Sequence, residues 1–229
     1  MPILHGPMPE LSPDKFAHWP GFDRGAGSAG KFRMLLPEVI AEIEGDRLIA
    51  PGFAHETHAI ERLDGVALRL DCGTVFPGVP AAECGLIGAT HLAACVGTIG
   101  PALEARVSEL YAARQAVSAW VMGEVGVAVL FAFTQGATAR VTHAAAAKGL
   151  KAGRPMQPGN LGLEFAHQET VAELAGAASI GVTVMPRGMM RPVNSLSMLI
   201  GLGKGLTAQP AHDCATCKAR EGCRYRNVK

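Results

Sequence analysis

Residues 116–133 form an almost unbroken apolar run with a single carboxylate, Glu124, near its middle. The run sits near the lower length limit for crossing a bilayer, and a carboxylate at that depth would cost about 2.5–3.5 kcal/mol. It therefore reads as a helix buried inside a protein, with Glu124 either paired in the core or lining a cleft wall. A helix apolar on all sides must be wrapped by other elements. The composition allows this: the chain is 48% hydrophobic but only 5% aromatic, so the core is built from Ala, Val and Leu. Its 229 residues suffice for one large domain or two small ones.

The rest of the chain divides by pattern. Residues 1–37 are rich in Pro and Gly and are expected to be irregular, with a short helix at 36–44 opening near Pro37. Asp64-Gly65 is a turn signal before a strand at 65–71. Residues 86–96 are apolar and helical in type. Pro101 opens a helix whose apolar stripe is Leu103, Val107, Leu110 and Tyr111, with Glu104, Arg106, Glu109 and Arg114 on its polar face. An Ala-rich helix follows at 138–148, stopped by Gly149. Farther on come a turn-rich loop at 153–160, a helix at 164–177, and β-type runs at 180–185 and 195–202. The two runs suggest an antiparallel ribbon across the Pro186–Pro192 connector. A helical middle followed by strands argues for α+β rather than alternating βαβ units.

Net charge is +1, from 21 basic and 20 acidic residues, which offers no broad basic surface for nucleic acid. Residues 1–10 have neither the basic nor the apolar stretch of a secretory signal, so a cytoplasmic setting with reduced thiols is expected. In that setting the closing Cys214-Ala-Thr-Cys217-(five residues)-Cys223 is a metal-type spacing. Three thiolates supply a [4Fe-4S] cluster lacking one ligand, which Cys72, Cys84 or Cys95 could complete. They equally supply most of a tetrahedral zinc site, which His212 could complete. His55 and His58, three apart, would share one face of a helix.

One ordered series remains: Cys95-Val-Gly-Thr-Ile-Gly-Pro-Ala-Leu-Glu104, then Pro158-Gly159, Ile180-Gly-Val-Thr-Val, Met189-Met190, Pro192, Ser195-Leu-Ser197 and Ile200-Gly201. Together these resemble the activation, or S-adenosylmethionine-binding, domain of cobalamin-dependent methionine synthase. They resemble more closely the small stand-alone relatives that end in a cysteine cluster. The likeness spans roughly residues 86–226. It implies an α+β fold with helices packed around a twisted antiparallel sheet. It also implies a groove for S-adenosylmethionine and docking on a corrinoid-binding protein or methyltransferase, whose cob(II)alamin is returned to the active cycle.

Three stretches are expected on this basis: an N-terminal segment at 1–85, separate or part of the same domain; an activation-domain-like core at 86–207; and a Cys-rich tail at 208–229. The resemblance implies cofactor-binding roles for Arg154, Pro158, Gly159, Ile200, Gly201 and Glu104, and metal binding by Cys214, Cys217 and Cys223. An Arg suits the ligand's carboxylate because its fork donates two parallel hydrogen bonds. Here Arg154 stands one residue farther from the Pro-Gly turn than in the family pattern, and Asn160 replaces the usual Tyr. The functional expectation is a reductive activator that passes an electron through an iron–sulfur tail. The alternative is a zinc-stabilised docking module without catalysis. A methyltransferase acting on another small substrate lacks the Rossmann glycine fingerprint that would support it.

Overall fold

The computed structural model describes residues 3–4, 10–17, 19, 29–65, 67–160, 162–206 and 221. Its strands are β1 (Ile3–Leu4), β2 (Gly52–Leu63), β3 (Ala67–Leu70), β4 (Val75–Pro77), β5 (His91–Thr98), β6 (Lys151–Ala152), β7 (Thr183–Val184), β8 (Met190–Arg191) and β9 (Ser195–Gly203). Its helices are α1 (Pro13–Ala17), α2 (Ala29–Gly45), α3 (Ala102–Ala112), α4 (Ala116–Ala146) and α5 (Gln168–Ala175). The main sheet runs β4-β3-β2-β5-β9-β6, with β1 on the edge of β2 at Phe53 and Ala54. Every pairing in it is antiparallel. Helices pack around this sheet, as the α+β reading requires.

Strand β5 lies at the centre, where residues 86–96 read as helix. All but one of its residues are buried. Helix α4 covers one of its faces and α5 the other, so the polar–apolar alternation that marks a half-solvated strand is missing. A short apolar run of this kind cannot be told from a buried helix by periodicity.

The apolar run at 116–133 and the Ala-rich stretch after it form one helix, α4, 31 residues long. Thr134 does not interrupt it, because its hydroxyl donates back to the Leu130 carbonyl at 2.7 Å. Left-handed Gly149 follows the end of the helix. The helix is long and apolar enough to cross a membrane, yet more than half of its apolar stretch is buried inside the fold. Glu124 is a paired core carboxylate, accepting from Trp19 Nε1 at 3.2 Å.

Helix α2 starts at Ala29 and runs through Pro37, well before the expected start. Pro37 costs a backbone hydrogen bond, and tertiary packing outweighs it. Phe32 meets Trp120 at a ring-centroid distance of 4.4 Å, and Leu36 is fully buried. Together α1, α2, α3 and the first half of α4 make a helical layer around Leu36, Ile43, Leu103, Leu110 and Met122. In α3, Leu103 and Leu110 face inward as the stripe predicts, whereas Tyr111 is exposed.

The second half of α4 crosses one face of the sheet, packing Phe133, Ala137, Val141 and Ala145 on Phe53, Ala93, Cys95 and Ile200. On the other face, Val171, Ala172 and Ala175 of α5 meet Leu92, Ala94, Val96 and Leu199. The expected ribbon forms differently from the sequence reading. Strand β7 pairs with β8, inside the connector, while β9 joins the main sheet between β5 and β6.

Candidate functional site

The segment at 151–156, which carries Arg154 and leads into Pro158 and Gly159, runs beside the end of β9 that holds Ile200 and Gly201. Residues 151–156 run beside β9: Lys151 and Ala152 pair with Gly203 and Leu202, Gly153 N–H donates to Gly201 O at 2.8 Å, and Met156 bonds Leu199 in both directions. Arg154, half-buried, lies within this segment. Its guanidinium pulls on the Cys84 thiol, although burial first and the Glu83 carboxylate second push that thiol up to about 11.

The chain then turns through Pro158 and Gly159. Gly159 has φ +91°, a left-handed backbone that an L side chain would strain, and its N–H donates to Leu163 O at 2.8 Å. Asn160 N–H closes the turn on Gln157 O at 2.9 Å. This loop lies over the 80–86 turn, with Gly162 against Pro80 and Cys84. Ile200 points its side chain into the α4-side core. Gly201 faces the other way, and a Cβ there would come within 2.6 Å of Leu86 Cδ2, so a larger residue would have to displace the Leu86 side chain.

Glu104 stands apart from this group. It sits in the first turn of α3, accepts the Val193 N–H and faces Arg191 at 3.5 Å. Val193 precedes β9, whereas Gly201 lies near its end, so the strand separates the two places by roughly 20 Å. Around Glu104 the other residues of the ordered series bind one another. Ser195 Oγ donates to Thr98 Oγ1 at 2.9 Å, Thr98 Oγ1 lies 3.2 Å from Asn194 O, and Ile99 N–H donates to the same carbonyl at 3.2 Å. Ser197 Oγ accepts from Gln168 Nε2 at 2.7 Å, tying α5 to β9. Ser195 thus ties the start of β9 to the end of β5, and Ser197 ties the sheet to α5. The signal for that role was present in the sequence as two buried-strand hydroxyls with no base nearby.

Cys214, Cys217 and Cys223, with His212, lie outside the described residues. Of the other cysteines, Cys95 is fully buried beneath α4 and burial pushes its thiol up to about 12, Cys84 is buried, and Cys72 is exposed. Phe165 was not foreseen. Its half-exposed ring packs on Gly159 and against Gly188, and an aromatic just after a Pro-Gly turn is the sequence signal that marks it. A cavity of about 360 Å³ on the opposite face is lined by His55, His91, Arg140 and Lys148 among others, and includes none of the expected site residues.

Comparison with solved structures decides the architecture. The crystal structure of the MetH reactivation domain bound to AdoHcy superposes with a TM-score of 0.67. The match covers 93% of this chain and 81% of that one, at 12% identity. The chain has the fold of the MetH reactivation domain. No protein-family model and no curated protein matches it. The coverage is far more than residues 86–226 alone supply. The shared reactivation-domain fold therefore takes in much of the N-terminal part, which contributes β1 to β4 of the main sheet here.

Proposed function

We propose that this chain reductively activates a corrinoid protein, using S-adenosylmethionine as methyl donor and its cysteine tail to carry the electron. The observation that supports this most is the fold of a domain solved with AdoHcy, joined to a tail with three thiolates. In this reading the loop at 153–163 forms the ligand wall. Arg154 receives the methionine carboxylate, the Pro158-Gly159 turn sets the loop's course, and the β9 backbone at Ile200 and Gly201 runs alongside as the family resemblance implies. Phe165 offers an exposed apolar ring beside that turn. Glu104 orients the chain entering β9 rather than touching the ligand, since its carboxylate is engaged by Val193 and Arg191.

Cys214, Cys217 and Cys223 would hold an iron–sulfur cluster, and their donor set fits one: cysteine thiolates at Cys-x-x-Cys spacing. Such a cluster supplies one-electron chemistry when bound. The partner's cob(II)alamin gains one electron to become cob(I)alamin. It then takes CH₃⁺ from S-adenosylmethionine, yielding methylcob(III)alamin and S-adenosylhomocysteine. The methylation draws an unfavourable reduction forward.

The test mixes anaerobic protein with a cob(II)alamin-loaded corrinoid protein, a reductant and S-adenosylmethionine. Methylcob(III)alamin is expected to appear faster than in the blank; an equal rate refutes activation. Iron, sulfide and zinc analysis of the same preparation separates the two tail chemistries. Zinc without iron would instead make the protein a docking module closed by His212 and the three cysteines.

A further inference from the structure

Away from the loop wall, three ligand-type side chains meet where β2 passes the β3–β4 hairpin. Among the described residues, His58 Nδ1 or Nε2, an Asp71 carboxylate oxygen and Cys72 Sγ supply donor atoms all within 4.8 Å of one another. His58 Nδ1 is 4.0 Å from Asp71 Oδ1, too long for a hydrogen bond. The other ring nitrogen settles the tautomer. Nε2 lies 3.2 Å from the Leu174 carbonyl oxygen, and a carbonyl only accepts, so Nε2 carries the hydrogen. With Nε2 held by that carbonyl, Nδ1 is the ring atom turned toward the Asp71 carboxylate and the Cys72 side chain. Cys72 Sγ also donates to Thr74 Oγ1 at 3.4 Å, a contact that a thiolate on an ion would give up.

The His58 ring is held as metal-bound histidines are: one ring nitrogen on the ion, the other N–H on a backbone carbonyl or carboxylate that fixes the ring. The backbone beneath the donors is pinned as well. Asp71 N–H donates to Ala59 O at 3.0 Å, and Leu70 and Thr74 close the hairpin at 2.9 Å. His58 is largely buried while Asp71 and Cys72 are exposed, so the two hairpin side chains can swing inward onto a ring that stays fixed. Bond lengths of about 2.0–2.3 Å put donor atoms around a tetrahedral ion roughly 3.3–3.8 Å apart, a small closure from the present spacing. One imidazole, one carboxylate and one thiolate form a set of intermediate softness, which suits zinc rather than magnesium or calcium.

We propose that His58, Asp71 and Cys72 form a zinc-class site, with solvent as its fourth ligand, independent of the cysteine tail. Through Leu174 the site would also join the hairpin to α5.

Cobalt(II) titration of the full chain carrying Cys214→Ser, Cys217→Ser and Cys223→Ser tests this with the tail thiols silent. A single equivalent should bind, with a near-ultraviolet thiolate-to-cobalt charge-transfer band. Adding Cys72→Ser should abolish the band, and Asp71→Asn should weaken binding by about tenfold or more. Absence of the band, or its survival in the Cys72→Ser protein, overturns the proposal. A second measurement does not depend on how the tail variant folds. In the chain with its native tail, the exposed substitution Cys72→Ser should lower retained zinc by one equivalent after gel filtration in zinc-containing buffer. Unchanged retention overturns the proposal.

Discussion

The two faces of the central sheet are closed in opposite ways. On one face a single long helix, α4, lies across β5 and β9, and small residues such as Ala93, Ala137 and Ala145 let it approach closely. On the other, the eight-residue α5 shares the work with turns at 78–90 and 153–163, where Gly78, Gly85, Gly88, Gly159 and Gly162 all have left-handed backbone. A helix satisfies its own backbone hydrogen bonds and can be buried as a unit. Turns must find partners one group at a time, and so leave polar side chains and irregular surface behind. Arg154, Cys84, Phe165 and the His58–Asp71–Cys72 trio all fall on or beside the turn-built face. The α4 face is closed by regular packing, and the other carries the irregular turns on which the proposed ligand wall and ion site lie.

The sharpest test of that division is Phe53→Ala. Phe53 is fully buried on the α4 face, and its truncation should destabilise the protein by about 3–5 kcal/mol in urea unfolding. A loss under about 1 kcal/mol would show that this face is loosely packed. Arg154→Ala should do the reverse, leaving the unfolding midpoint nearly unchanged while weakening S-adenosylhomocysteine binding by about 1.5–3 kcal/mol in calorimetry. Wild-type affinity would remove the loop from the ligand wall. Ser197→Ala probes the join between the two sides. It leaves the buried Gln168 amide without its partner at 2.7 Å, and should cost about 1–3 kcal/mol of stability. A neutral result would mean that α5 is not anchored through this bond.

These particulars also explain what the sequence revealed and what it hid. Helix α3 was legible because Leu103 and Leu110 keep helical spacing against a polar face. Glu124 was legible as either a paired core carboxylate or a cleft-wall group, and only the fold, by bringing Trp19 to it, selects the first. The fold class followed from the order of helical and strand-type segments, and the ordered series added the twisted antiparallel sheet. Strand β5 was illegible because burial on both sides erases alternation. His55 and His58 would share a face of a helix, but on β2 they point to opposite sides of the sheet. His55 packs on Phe53 at a ring distance of 5.9 Å, and His58 bonds Leu174. The His58 trio was hidden for a related reason: only the β2–β3 pairing, Ile60 to Leu70, brings Asp71 and Cys72 back beside it. Arg154 was legible only through its neighbours in the series, since nothing in its own spacing sets it apart from an ordinary loop arginine.

The smallest expected effect concerns the point where the α4 face gives way. There His55 lines the cavity together with His91, Arg140 and Lys148, and its Nδ1 is buried without a hydrogen-bond partner among the described residues. Burial lowers its pKa from the ordinary 6.5, because the imidazolium would lose solvation. The sign follows from proton uptake. Below the ordinary pKa the unfolded chain binds a proton that the folded chain resists, so stability is full above that pKa and falls as pH drops through it. Comparing thermal midpoints at about pH 7.5 and about pH 5.5 isolates the contribution when wild type is set beside His55→Leu, since the other histidines are common to both proteins. The wild type should lose more stability on acidification than the variant does. Equal losses would mean that the ring takes up its proton freely in the folded state, and that the α4 face is open to water where the helix ends. A larger loss in the wild type would mean that the ring stays shielded from water in the folded state, and that the packing of the α4 face holds as far as its last turn.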